Sequence, residues 1–302
     1  MTDVRRYQSP EAFKHALEAR VRHAAREANQ DMGRFRQLLL FDRFLARVFE
    51  ELGEQIVLKG GIALELRLER ARTTRDVDLR LTGDPNRLLA QLQQAGQRDL
   101  GDYLSFIIQP NPERPTVEGD GVVYDGRRFR AEGRLAGMIY GLPFGVDVSV
   151  GDVLTRSPEI ITGTRFLDFV GVKPAQMRVY PREAHVAEKL HAYTLPRPME
   201  NSRVKDLPDI ALLGQTGPFD RGQLRQALEG TFSFRNTHPL PTRLPSPPPS
   251  WTPVYARIAA EDRLVWRTLD EVESAARAFI EPVLVAGAGT WNPTSWEWAG
   301  AT

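Results

Sequence analysis

The chain alternates between two hydrophobic periods, and the places where it switches mark out its organisation. From Phe13 through Leu17 and Val21, then from Phe35, Leu38, Leu39, Phe41 and Asp42 to Leu45, the pattern repeats at helical spacing. Ser9 before Pro10 reads as a cap with proline at the first helical position. The period then shortens. Gln55-Ile56-Val57-Leu58 reads as a strand, Ile62 to Glu69 as a short helix, and Asp76-Val77-Asp78-Leu79 as a second strand. Asn86 to Gln94 reads as helix and Leu104 to Gln109 as strand. Residues 128–140 alternate, with Phe129, Ala131, Leu135 and Ile139 on one face and Arg128, Arg130, Glu132 and Arg134 on the other. A turn at Gly141-Leu142-Pro143 is expected to return the chain as Phe144 to Val150 in a hairpin. From about 176 the helical period resumes. It covers Glu183 to Thr194, ended by Pro196 and Pro198, then Arg203 to Leu213 capped by Asn201 or Ser202, and a final helix from Val254 to Phe279. The proline-rich stretch 238–253 reads as an extended wrapping arm. The fold class expected is α+β: a small mixed sheet flanked by helices in residues 1–175, followed by a mainly helical domain in 176–302. The scattered Trp251, Trp266, Trp291, Trp296 and Trp298 fit packing of the C-terminal arm better than a base-stacking platform.

Composition narrows the class little. Hydrophobic residues at 41% and charged residues at 26% over 302 positions are ordinary for a globular protein. The absence of cysteine excludes disulfides and thiolate metal sites and suits a reducing compartment. No apolar run nears the roughly 18 residues that cross a bilayer, and the first residues lack the apolar core of a secretory signal. No membrane association and a cytoplasmic location are therefore expected. A net charge of +1 permits a nucleic-acid partner without indicating one, although Arg67, Arg70, Arg72, Arg75 and Arg80 crowd one region. Most of these can equally be a solvated face.

The chemistry-bearing pattern is Lys59-Gly60-Gly61 followed by Arg75-Asp76-Val77-Asp78. Residues two apart on a strand share a face, so Asp76 and Asp78 project together while Val77 and Leu79 enter the core. Paired carboxylates on a rigid edge suit a hard divalent cation such as Mg²⁺ (or Mn²⁺), whose other ligands are water and substrate phosphates. The glycines leave backbone N–H groups bare near a helix start, a place for a triphosphate. Either motif alone is common, Asp-X-Asp on strand edges and Gly-Gly in turns. Their order is the informative part. On the returning strand, Val146, Val148 and Val150 form the core face, which leaves Asp147 opposite. Asp147 is the candidate third carboxylate, with Asp152 as its competitor and the wet side of a hairpin as the plainer reading.

The strand–Gly-Gly–helix–strand order resembles the first unit of the DNA polymerase β-like nucleotidyltransferases. Within them the chain resembles the AbiEii/AbiGii toxin family, which includes the MenT toxins. The matching stretches are Leu58-Lys59-Gly60-Gly61-Ile62-Ala63-Leu64 and Arg72-Thr73-Thr74-Arg75-Asp76-Val77-Asp78-Leu79. Further on come Ala187-Glu188-Lys189-Leu190-His191-Ala192, Arg203-Val204-Lys205-Asp206-Leu207-Pro208-Asp209-Ile210, and the tail Trp291-Asn292-Pro293…Trp296. Pro208 departs from the family pattern at a place where a helix former is usual.

The resemblance implies Asp76, Asp78 and Asp147 as metal ligands and Asp76, Asp78, Lys189 and Asp206 as catalytic residues. It implies Lys59, Gly60, Gly61, Thr74, Arg75 and Lys189 around the nucleotide, with Lys189 on the triphosphate. Asp206 would hold Lys189 or position the acceptor hydroxyl, and Asp209 stands beside it at i+3. The implied activity is transfer of a nucleotide from an NTP, with CTP expected, to an RNA acceptor such as the tRNA 3′ end. The implied partner is a cognate AbiEi-like antitoxin. A transferase acting on a protein side chain and a non-catalytic nucleotide-binding regulator are the alternatives. His185, His191 and His238 show no ligand spacing and are assigned no chemistry.

Overall fold

The computed structural model describes residues 7–68, 74–113, 116–119, 122–151, 154, 156–197, 201 and 203–300. Two helices open the chain, α1 (Pro10–Glu27) and α2 (Met32–Leu52). The Ser9 hydroxyl accepts from the Ala12 N–H at 3.2 Å, and Asp31 caps α2 in the same way. Phe13, Leu17 and Val21 are fully buried, as their spacing predicts. There follow β1 (Ile56–Lys59), α3 (Gly60–Glu65), β2 (Asp76–Leu81), α4 (Leu88–Gln97) and β3 (Leu104–Pro110). Then come β4 (Thr116–Gly119), β5 (Val122–Leu135), β6 (Met138–Ile139), β7 (Phe144–Val150), β8 (Glu159–Thr162) and β9 (Gln176–Val179). The sheet is mixed, in the order β3-β5-β7-β2-β1-β9-β8, with β4 and β6 also paired to β5. β2 runs parallel to β7, and β1 runs parallel to β9. The other pairs are antiparallel.

One core lies between α1, α2, α4 and this sheet, and includes Phe41, Phe44, Phe106 and Phe144 in edge-to-face contact. Within it Asp102 is fully buried and accepts from Arg43 Nε and Arg47 Nη1, each at 3.0 Å. These paired charges tie α2 to the start of β3.

The remaining elements are α5 (Arg182–Thr194), α6 (Asp206–Gln215), α7 (Arg221–Arg235), α8 (Trp251–Glu261), α9 (Leu269–Leu284), β10 (Thr290–Asn292) and β11 (Glu297–Ala299). They surround a second core. The tail hairpin β10–β11 seals it. The indoles of Trp291, Trp296 and Trp298 donate to the carbonyls of Gly214, Ala275 and Phe279, which confirms a packing role for these tryptophans. The proline-rich arm wraps the same core, with Leu244 buried and the Tyr193 hydroxyl donating to the Pro245 carbonyl at 2.8 Å. Among the described residues, no helix is long and apolar enough to cross a membrane.

Several local expectations need correction. The hairpin turns at Ala136-Gly137, both at positive φ, as the tight two-residue turn requires. It does not turn at 141–143. Ile139 is thereby 55% exposed instead of sharing the core face of Leu135. The expected final helix is two helices. Thr268 and Glu271 form a capping box that starts α9 afresh after α8 ends. Residues 176–179 are a strand before the helical half begins. α6 starts at Asp206, not Arg203, and the candidate caps there are not used: Asn201 bonds the Arg203 N–H, and Ser202 lies outside the described residues.

Candidate active site

Lys59 ends β1, and the chain turns at Gly60 with φ +67. A Cβ on Gly60 would lie 1.9 Å from Asp78 Oδ2, and one on Gly61 would lie 2.8 Å from the Thr74 side chain. The glycine pair therefore serves first to let the carboxylate strand approach the start of α3. Thr74 also donates its hydroxyl to the Asp76 carbonyl at 3.2 Å.

On β2 the alternation is as expected. Val77, Leu79 and Leu81 are buried, Asp76 is exposed, and Asp78 is half-buried on the same face. In the parallel ladder Asp78 stands opposite Asp147, and Asp76 stands opposite Gly145. A Cβ on Gly145 would lie 2.5 Å from Asp76 Oδ1, so the glycine lets that carboxylate lie over β7. On the other side of β2, Lys59 is the ladder partner of Asp78. On β5, Arg128 is the ladder partner of Asp147 and donates Nε and Nη2 to its two carboxylate oxygens, each at 2.7 Å. One face of the sheet thus carries a row of charges across four strands: Arg128, Asp147, Asp78 and Lys59. Asp152 lies outside the described residues, as do Arg70 and Arg72. Of the other crowded arginines, Arg67 donates to the Tyr180 carbonyl and pairs with Glu159, and Arg80 bonds Thr82.

Burial pushes the Asp78 carboxyl up to about 6, and repulsion from Asp147 and Asp76 adds to the shift. Lys59 and Lys189 oppose it. Unlike Asp147, Asp78 accepts no hydrogen bond among the described residues. It stands between Lys59 on one strand and Asp147 on the other, and the neighbouring carboxylates offer hard oxygen donors. That donor set suits a divalent cation. The described residues do not already close three such groups into a cage, because Asp147 is turned to Arg128. To serve as a ligand, Asp147 would exchange that guanidinium for the ion.

The second half of the site comes from α5 and α6. Lys189 Nζ lies 3.0 Å from Asp206 Oδ1 and 2.8 Å from Asp209 Oδ2, and both carboxylates are buried. Arg203 Nε holds the other Asp206 oxygen at 2.6 Å. Asp206 and Asp209 thus clamp Lys189 together; of the two roles open for Asp206, this is the one its contacts show. Pro208 is harmless because it is the third residue of α6, where a backbone N–H has no partner within the helix.

Lys59 pairs with Glu188 at 3.5 Å, and Glu188 also pairs with Arg235 and accepts from the Tyr180 hydroxyl. His185, one turn before Lys189, is buried without a hydrogen bond to either ring nitrogen, and burial drives its pKa down to about 3. Burial thus holds it in the neutral form. The sequence reading overlooked Arg128 and Glu188. The first faces Asp147 only once the hairpin register is known, and the second sits unremarked beside Lys189.

A cavity of about 460 Å³ lies over Asp76 and Asp147, and Arg75, Arg128 and Arg130 reach into it. Arg75 thus lines a cavity on the Asp147 side of the row. The family described as the nucleotidyl transferase AbiEii toxin of type IV toxin–antitoxin systems matches residues 43–279. The chain belongs to the AbiEii family. It is a nucleotidyltransferase of that toxin family. MenT4, a nucleotidyltransferase toxin from Mycobacterium tuberculosis H37Rv, has a similar fold, with a TM-score of 0.53 at 15% identity over 89% of this chain and 88% of that one. JHP933 from Helicobacter pylori aligns at 15% identity over 82% of this chain and 93% of its own, with a TM-score of 0.45. No curated protein matches the chain significantly.

Proposed function

We propose that this AbiEii nucleotidyltransferase moves a nucleoside monophosphate from an NTP to the 3′ end of an RNA, with tRNA as the acceptor. The observation that carries this reading is the alignment of Asp76, Asp78 and Asp147 on one sheet face, with Lys59 the ladder neighbour of Asp78 and the charge of Lys189 acting on it. Residues 1–175 supply the acids, and 176–302 supply Lys189 and its clamp. Asp76, Asp78 and Asp147 would hold Mg²⁺ or Mn²⁺. When bound, that ion supplies charge neutralisation on the transferring phosphate and a more acidic acceptor hydroxyl. Lys59 and Lys189 set fixed positive charge where the β- and γ-phosphates lie, and Gly60-Gly61 keep the backbone low there. The acceptor oxygen forms its bond to the α-phosphorus, the bond to the β-phosphate oxygen breaks, and pyrophosphate leaves on the lysine side. The hydroxyl proton escapes along the exposed edge at Asp76. An AbiEi-like antitoxin is the partner that restrains the activity, in keeping with the type IV toxin–antitoxin family.

The test is incubation of the full chain with each α-labelled NTP, CTP first, together with Mg²⁺ and total RNA or total protein. Label in tRNA, lost in Asp78→Asn, supports the reading. Label in protein replaces the acceptor, and retained transfer by Asp78→Asn removes the acids from the mechanism.

A further inference from the structure

The row of acids is flanked by cations on both sides, and the two sets are not equivalent. On the β1 side stand Lys59 and Lys189, the first paired with Glu188 and the second clamped by Asp206 and Asp209. On the β5 side stand Arg75, Arg128 and Arg130. Arg128 is engaged by Asp147. Arg75 and Arg130 are exposed and make no ion pair or side-chain hydrogen bond among the described residues. Positive charge without a counter-ion attracts an anion from solution.

These same two arginines, with Pro143, line both the cavity over Asp76 and a larger groove of about 1040 Å³. The groove runs from Arg75 and Arg130, which border the acids, between the N-terminal helices and the 139–143 segment. Its other arginines are already neutralised: Arg34 by Glu65 and Asp262, and Arg36 by Glu18. Arg75 and Arg130 therefore supply the unpaired arginine charge, at the end nearest Asp76, while Lys14, which also lines the groove, donates to the Met138 sulfur. Beyond it, Ile139 and Leu142 line the groove while 55% and 73% exposed, an apolar ledge open to solvent.

In phosphoryl transfer the attacking and leaving oxygens lie in line on opposite sides of the phosphorus. If pyrophosphate leaves towards Lys59 and Lys189, the acceptor hydroxyl must arrive from the Arg75 and Arg130 side. Pockets for one small ligand run to about 300–1,000 Å³, so the groove, at the top of that range, has room for the end of a nucleotide chain. Bare cations beside the acids followed by an apolar ledge match a single strand, whose phosphates are spaced along its length and whose bases expose flat apolar faces.

We propose that this groove is the acceptor channel and takes the single-stranded 3′ end of an RNA. Arg75 and Arg130 hold its terminal phosphodiester, and the ledge of Ile139 and Leu142 supports a base. This deepens the proposed function and rests on its RNA acceptor. It is tested by fluorescence anisotropy on the full chain with EDTA present and NTP absent. The probes are a labelled RNA stem-loop with a short single-stranded 3′ tail and the same stem-loop with a blunt end.

The tailed RNA is expected to bind at least about tenfold more tightly than the blunt one. Arg130→Ala should remove most of that difference and lower the slope of log affinity against log salt by about 0.7. Leu142→Glu, on an exposed side chain, should weaken tailed RNA without changing thermal stability. Binding of Mg²⁺–CTP, read by calorimetry, should be the same in Arg130→Ala as in the wild type. Equal binding of tailed and blunt RNA, or wild-type affinity in both variants, overturns the channel even where RNA labelling by the wild type stands. Labelling of protein alone overturns the RNA acceptor itself, and that result comes from the separate transfer assay.

Discussion

Asp78→Asn should make the metal-free protein more stable at neutral pH while abolishing nucleotide transfer. The carboxyl titrates near 6 in the folded chain against an ordinary value of 3.8, so a shift of about two units is at stake. At 1.36 kcal/mol per unit this is about 3 kcal/mol, an upper bound for a half-buried group that water reaches in part. The sign follows from proton counting. Between about pH 4 and 6 the folded state holds a proton that the unfolded state has released, so stability falls as pH rises through that window and is level above it. Asparagine has nearly the same shape and no charge to bury, so it removes this fall.

Unfolding in urea with EDTA present should show the variant up to about 3 kcal/mol more stable at pH 7.5 and equal to wild type at pH 4. For a chain of this length, that corresponds to a rise in Tm of about 5 °C at most. Added Mg²⁺ should stabilise the wild type and leave the variant unchanged. A variant less stable than wild type at pH 7.5, or an offset of the same size at pH 4, would refute the claim that Asp78 is an uncompensated anion.

Two further substitutions probe the neighbours of Asp78. Lys189→Ala removes the ammonium 2.8 Å from Asp209, whose side chain is only 1% exposed, and should cost about 3 kcal/mol in urea unfolding as well as activity. Adding Asp209→Asn should recover much of that stability and none of the transfer, whereas recovery of transfer would make Lys189 purely structural. Gly60→Ala drives a methyl group into Asp78 at a backbone angle of +67°, and should cost about 2 kcal/mol in thermal unfolding and suppress transfer. Wild-type activity in that variant would show that the turn does not need the close approach of Asp78.

The parts of the site legible in the sequence are those set by local period. Asp76 and Asp78 share a face because strands alternate, and Asp147 falls on the matching face because Val146 and Val148 claim the other. What could not be read is the register that decides which residue meets which. A hairpin turning at 141–143 would set Gly137 opposite Asp147. The turn at Ala136-Gly137, followed by β6 and then irregular chain from Tyr140 to Pro143, sets Arg128 there instead. That displacement decides whether Asp147 has a counter-ion. The break between α8 and α9 was legible in principle, since Thr268 and Glu271 have the spacing of a capping box. It was masked by apolar residues that keep helical spacing on both sides. The Asp206–Lys189–Asp209 clamp joins two helices through side chains, and nothing in the spacing of either helix announces it.

The charges of the site come from both cores, so its geometry depends on how firmly the two are joined. α3 carries that join: Ile62 and Ala63 pack into the first core while Leu64, the next residue, packs into the second. Arg67 extends it by donating to the Tyr180 carbonyl at 2.7 Å just before α5 begins, and Lys59 reaches Glu188 on α5 itself. The residues that follow Gly60-Gly61 thus fix the helix bearing Lys189 against the strand bearing Asp78. A glycine pair that admits the acids, a helix of six residues shared by two cores, and a lysine held by two buried carboxylates act as one mechanical unit. Weakening the α3 contacts at Leu64 should therefore lower transfer without touching any charged group, because it moves the cation relative to the acids.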